Sequence, residues 1–161
     1  MQPPSLDGHD RRILKVLQQQ GRITNQELAE RIGLSPAACW RRVKALEEEG
    51  VIKRFAALVD PARVGQPLCA LVMVTLVRHH IDNTAEFENR ILQYPEVLQC
   101  YATTGNADFV LRVVSEDMAA YDRFLNEKLF TLPGISQVSS NFALREIKNE
   151  TAIPIPQGHR V

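Results

Sequence analysis

The sequence predicts an α+β chain in which an N-terminal winged helix-turn-helix is joined to a C-terminal ferredoxin-like βαββαβ domain. Three observations carry that prediction. The first third punctuates itself into three short helices, with capping residues at their starts and glycines at their ends. The second half changes rhythm and runs β-α-β-β-α-β, the split βαβ order. Between them lies "PARVGQP", Pro61 to Pro67, a turn-rich linker. The expected division is 6–67 for the helix-turn-helix domain (the motif itself at about 25–44), 68–150 for the second domain, and 151–161 for a tail.

The first helix is expected over Leu6–Leu17, with Asp7 as N-cap, Asp10 three residues on, and Leu6, Ile13, Leu14 and Leu17 inward. The second opens on Thr24 and Glu27, a capping box, buries Leu28, Ala29 and Ile32, and stops at Gly33. The third starts with Ser35 as cap and Pro36 at the first helical position, and ends at Gly50. Helices two and three are separated only by about "RIGLS", so they make a helix-turn-helix. "VIKRFAALVD", Val51 to Asp60, reads as two short strands or one bent strand, a wing behind the third helix.

In the second half "LCALVMVTLV" is a strand and "NTAEFENRILQY" a helix with Phe87, Ile91 and Leu92 on one face. "EVLQCYATT" and "DFVLRVVS" are strands joined by "GNA". "DMAAYDRFLNEKLF" is a helix facing inward through Tyr121, Phe124, Leu125 and Leu129, and "ISQVSSNFALREI" is the last strand. An echo between "PEVLQC" at Pro95 and "PGISQV" at Pro133 marks equivalent points of two βαβ halves. The first strand is apolar on both faces, with Leu71, Met73 and Val77 on one and Val72, Val74 and Leu76 on the other. Such a strand is buried on both sides. Helices cover one side of this sheet type, so a second copy of the domain is the simplest cover for the other, giving a symmetric dimer.

Composition narrows the function. Net charge is zero, yet residues 1–67 carry 11 Lys and Arg against 8 Asp and Glu, while residues 68–161 carry 8 against 11. One mildly basic module on an otherwise neutral protein fits that split. Cys39, Cys69 and Cys100 form no C-x-x-C pair and read as buried, reduced thiols, which fits a cytoplasmic protein. The start is polar and has no secretory h-region, and the longest apolar run, Pro67 to Val77, is far too short to span a membrane.

The third helix carries the functional signal. Cys39, Val43 and Leu46 form its buried stripe. The opposite face holds Ala37, Arg41, Lys44 and Glu48, with Trp40 and Arg42 on the flanks. Cations and an indole on the first two turns, with small Ala37 and Ala38 allowing close approach, suit a helix whose N-terminal residues read base edges. Arg42 equally suits an internal ion pair, and Trp40 a place in the core. Glu47, Glu48 and Glu49 follow at the end that would leave the groove. No nucleophile–base pair, phosphate loop or cofactor motif emerges, and His79-His80, adjacent on a strand end, is a poor metal chelate. The expectation is no enzyme, no catalytic residue, no metal and no cofactor.

The motifs "LDGHDRRIL", "GRITNQELAERIGLS", "C-x-RRVKALEEEGVI" and "FAALVDP", followed by "TGNADFVLRV" and "SSNFALREIKNETAIPI", resemble the Lrp/AsnC, or feast/famine, transcription regulators over Leu6 to about Ile155. The resemblance implies a winged helix-turn-helix that binds double-stranded promoter DNA. The implied contacts are Thr24, Asn25, Ser35, Pro36, Ala37, Trp40, Arg41, Arg42, Lys44, Lys53 and Arg54. It implies an effector domain of the RAM type, dimers through its sheets and often octamers. It also implies a small effector, usually an amino acid, near the loop Thr104, Gly105, Asn106, Ala107 and Asp108, with Tyr101, Thr103 and Ser140 as further candidates. Asn106 stands where relatives often carry an acid. An architectural DNA-binding protein with no effector is the alternative.

Overall fold

The computed structural model describes residues 5–77 and 81–156, with the side chains of 81–83 left aside. The chain divides into two compact units, Met1–Leu58 together with Lys148–Val161, and Val59–Ile147. The 61–67 linker thus groups with the second unit and the tail with the first.

In the first unit, α1 spans Gly8–Gln19, α2 Asn25–Ile32 and α3 Pro36–Glu48. Their starts are fixed locally. Asp7 and Asp10 form a reciprocal capping box, Thr24 and Glu27 form another, and the Ser35 hydroxyl accepts from the Ala38 N–H. Gly33 closes α2 in the left-handed region at φ 74°, which lets α3 begin three residues later. Ile13, Leu14, Leu28, Ala29, Ile32, Cys39 and Leu46 make one buried core. Ile155 from the tail packs against it. The Gln18 side chain grips the tail in both directions: its Oε1 accepts from the Ile153 N–H at 2.6 Å and its Nε2 donates to the Ile153 carbonyl at 3.0 Å. The Arg11 guanidinium donates to the Pro156 carbonyl.

The expected wing strands do not form. Residues 53–60 have no regular structure and are exposed. An extended segment becomes a strand only by pairing, and nothing in the described residues pairs with this one.

In the second unit, β1 (Leu68–Leu76), α4 (Ile81–Ile91), β2 (Val97–Ala102), β3 (Phe109–Ser115), α5 (Met118–Phe124) and β4 (Ile135–Phe142) follow in the expected order. The sheet is antiparallel with spatial order β2-β3-β1-β4. The two echoed prolines, Pro95 and Pro133, each precede a strand that follows a helix. Alternation along β1 is sharp: Ala70, Val72, Val74 and Leu76 are buried under the helices with Phe87, Ile91, Leu111, Tyr121 and Phe124. Leu71 and Met73, on the other face, are 45% and 37% exposed.

Three expectations shift at element ends. Leu92 is 84% exposed, because α4 stops at Ile91 and the next residue turns away. The last strand ends at Phe142, leaving Leu144 and Ile147 in solvent. After Phe124 the helix widens into a π turn over Leu125–Leu129, closed by Phe130 N–H to the Leu125 carbonyl at 2.8 Å. Cys39 is buried as expected, but Cys69 is half-buried and Cys100 exposed; all three are free thiols. His79, His80 and His159 lie outside the described residues. Among the described residues, no helix is long and apolar enough to cross a membrane.

Candidate nucleic-acid interface and effector loop

α3 presents its N-terminal half outward. Ser35, Pro36, Ala37 and Arg41 are exposed, and Trp40 is 57% exposed, which removes it from the core. Trp40 borders a shallow apolar groove with Leu17, Leu28, Val43 and Phe55. The Asn25 amide donates to the Pro36 carbonyl at 2.9 Å and so ties the start of α2 to the start of α3. Thr24 is occupied by its capping box. Lys53 and Arg54 are exposed on the segment beyond α3.

The cations differ in their commitments. Arg42 does not point at the outer face. Its Nη1 bridges the Asp7 carboxylate at 2.7 Å and the Asp10 carboxylate at 2.8 Å, joining α3 to the cap of α1. Its place among DNA contacts gives way to this internal ion pair, and the pairing raises the guanidinium pKa further. The Asp10 backbone N–H, with the Arg42 guanidinium and the His9 N–H behind it, holds the Asp7 carboxyl down at about 2 against partial desolvation. Lys44 pairs with Glu47 at 2.7 Å, so the first acid of the run neutralises the last cation before it. Arg41 makes no ion pair among the described residues. It is the guanidinium left to reach outward from the face opposite the core.

In the second unit the β2–β3 connection is built from its own polar groups. The Thr103 N–H donates to the Asp108 carbonyl at 2.8 Å, and the Thr103 hydroxyl to the Ala107 carbonyl at 2.7 Å. Gly105 sits at φ 127°, a conformation that side chains resist, with open space where a Cβ would stand. Asp108 helps to hold the sheet together, since its Oδ2 accepts the Leu76 N–H at 2.7 Å, where β1 breaks register. Its Oδ1 makes no hydrogen bond among the described residues. Thr103, Thr104, Gly105 and Asn106 are exposed, and Ala107 and Asp108 half-buried.

Tyr101 is exposed opposite Val110. Ser140 does not join the loop. It pairs across from Val72, in mid-strand, and its hydroxyl meets the Tyr121 hydroxyl at 2.6 Å under the helices. The partnership of Arg42 with two acids was the contact that local reasoning left open; its signal lay in Asp7 and Asp10, already fixed as caps.

A helix-turn-helix whose third helix turns its N-terminal half outward, on the same chain as a ferredoxin-like domain, has the architecture of a DNA-binding regulator. The family comparisons agree. Residues 6–53 match the winged helix-turn-helix DNA-binding model, and residues 69–153 match the Lrp/AsnC ligand binding domain. The chain belongs to the Lrp/AsnC family of transcription regulators. It is 39% identical to the Bkd operon transcriptional regulator of Pseudomonas aeruginosa, over 93% of this chain and 98% of that one. It is 36% identical to the leucine-responsive regulatory protein of Escherichia coli, over 93% and 92%. Among solved structures, a Neisseria meningitidis transcriptional regulator in complex with L-methionine matches at 41% identity and a TM-score of 0.87, over 93% of this chain and 97% of that one.

Proposed function

We propose that this chain is a cytoplasmic, promoter-binding regulator, rather than an enzyme, whose DNA binding or assembly responds to a small effector, an amino acid, held at the 104–108 loop. The reading face is Ser35, Pro36, Ala37, Trp40, Arg41 and Lys44, with Asn25, Lys53 and Arg54 at its edges. Thr24 contributes through its cap on α2. The effector observation that carries most weight is the Asp108 carboxylate. One oxygen is anchored on the Leu76 N–H and the other is left to receive an ammonium group. Gly105 beside it lets a ligand approach the backbone. The solved relative carrying L-methionine supports an amino acid as the ligand class. The apolar Leu71 and Met73 on the uncovered sheet face support self-association into at least a dimer.

A thermal-shift screen against the amino acids finds the effector, because a ligand that binds only the folded state raises the midpoint. Asp108→Asn is then compared with the parent by calorimetry. Asn keeps an acceptor for the Leu76 N–H and removes the charge. A charge-assisted hydrogen bond is worth about 1.5–3 kcal/mol, so affinity should fall about ten- to hundred-fold. DNA binding without effector should hold. Equal effector affinity in the two proteins removes Asp108 from the site.

A further inference from the structure

Trp40 is the only tryptophan in the chain, and α3 carries it 57% exposed. Its neighbours along the helix surface are Ala37, three residues before, and Lys44, four after. Ala37 is small and exposed, and the Lys44 ammonium is engaged by Glu47. Phe55, 48% exposed, lines the same shallow groove as Trp40. A single exposed apolar side chain is ordinary, but two aromatic rings on one groove make a patch, and such patches mark contact surfaces. The indole Nε1–H makes no hydrogen bond among the described residues, so the one polar atom of the ring is free to donate outward.

The chemistry of this side chain selects among base edges. An indole offers a broad hydrocarbon surface and one donor, and it has no acceptor. In the major groove only thymine presents a hydrocarbon, its C5 methyl, and it does so beside an acceptor, O4. Cytosine presents a donor at N4 and no methyl, so the indole N–H meets another donor there. The neighbouring Arg41 guanidinium has the opposite taste, since its paired donors suit O6 and N7 of guanine.

We propose that Trp40 is a specificity-determining residue that reads thymine, packing its ring on the C5 methyl and donating Nε1–H to O4. The proposal rests on the reading face given above and adds the base that this position selects.

The test uses the single tryptophan. A duplex is selected by the full parent chain from a random-sequence pool, so the probe is DNA the protein binds. Each thymine in turn is then replaced by 2′-deoxyuridine, which keeps O4 and loses only the methyl. At the thymine that Trp40 reads, affinity should fall about fourfold, the worth of one buried methyl group. Placing 5-bromouracil there, with bromine where the methyl stood, should keep affinity and quench Trp40 emission through heavy-atom contact. Trp40→Ala should bind the thymine and uracil duplexes equally, while Trp40→Phe, which keeps an apolar ring, should still prefer thymine. Arg41→Ala should bind more weakly overall and keep the thymine preference. If Arg41→Ala binds like the parent and uracil is tolerated throughout, the reading face falls and the proposal with it. If Arg41→Ala is weakened but the parent tolerates uracil at every position, the reading face stands and thymine readout is overturned. Trp40 emission indifferent to bromouracil at every position, or a Trp40→Ala chain that still prefers thymine, overturns it equally. The uracil and bromouracil measurements use the parent alone, so they decide the matter even where Trp40→Ala fails to fold.

Discussion

Arg41 and Arg42 are neighbours in sequence with opposite commitments in the structure, so replacing each by alanine makes a paired test. Arg42→Ala removes both ion pairs between α3 and the cap of α1. The Asp7 side chain is 48% exposed and the Asp10 side chain 16%. Exposed pairs contribute about 0.2–1 kcal/mol, so the Asp7 pair counts toward the lower end and the more shielded Asp10 pair toward the upper, about 1.2 kcal/mol together. In a domain of this size 1 kcal/mol moves the midpoint by about 4–8 °C, so the first unit should melt about 5–10 °C lower. Arg41→Ala removes an exposed side chain with no ion pair and should stay within roughly 0.5 kcal/mol of the parent in stability. Its effect should fall on DNA, where a bidentate guanine contact is worth about 1–3 kcal/mol. Melting followed by circular dichroism, beside mobility-shift titration on the promoter, reads both quantities. An Arg42→Ala variant that melts like the parent and loses DNA affinity as fully as Arg41→Ala would refute the division of roles. Acid titration adds a signed check. Asp7 titrates at about 2 in the folded protein, below its ordinary 3.8, so its contribution is complete above pH 4 and fades as pH falls toward 2. The Asp10 N–H, the largest cause of that lowering, survives in Arg42→Ala, so most of this acid limb should remain.

Met73→Glu puts a charge on the uncovered sheet face, and sedimentation of the full chain should then show a smaller species than the parent; an unchanged assembly counts against a sheet-to-sheet dimer. The thiols should separate under native alkylation: Cys100 reacts first, Cys69 more slowly and Cys39 only on unfolding. Desolvation and nearby Glu88 push the Cys100 thiol up, so its rate should be modest at neutral pH and climb as pH rises; fast labelling of Cys39 in the folded chain would contradict its burial. Gln18→Ala releases two hydrogen bonds to Ile153, each worth about 0.5–1.5 kcal/mol, and should lower the first unit's midpoint and expose the tail to proteolysis. Parent-like proteolysis of the tail would mean that Ile155 packing and the Arg11 bond to the Pro156 carbonyl hold it without Gln18.

What the sequence disclosed and what it hid divide by range. Asp7, Thr24 and Ser35 were legible as caps because the groups they satisfy lie within three residues. The doubled apolar pattern of β1 was legible because strand periodicity leaves no other reading of Leu71 beside Val72. Arg42 was ambiguous because its partners lie 32 and 35 residues away. The grip of Gln18 on Ile153 spans 135 residues, and no local pattern announces it. Val51 to Asp60 has strand composition without a strand, since pairing depends on a partner the segment does not contain. At the 104–108 loop, Gly105 and Asp108 were readable as turn chemistry, while the Leu76 N–H that anchors Asp108 was not. Ser140 entered by resemblance, and its hydroxyl bond to Tyr121 sets it apart from the loop.

The pairing of cations on α3 has a consequence for residence time on DNA. With Arg42 held by Asp7 and Asp10, and Lys44 by Glu47, one recognition helix brings little uncommitted positive charge to the phosphates. Each neutralised phosphate adds about 0.9 to the logarithmic salt dependence, so a single head should hold non-specific DNA weakly and let go quickly. Several heads tethered in one assembly behave differently, because linked contacts can exceed either single affinity by about 10²–10⁴. In such an assembly discrimination would rest on avidity: a lone half-site would detain the protein briefly and a correctly spaced pair for longer.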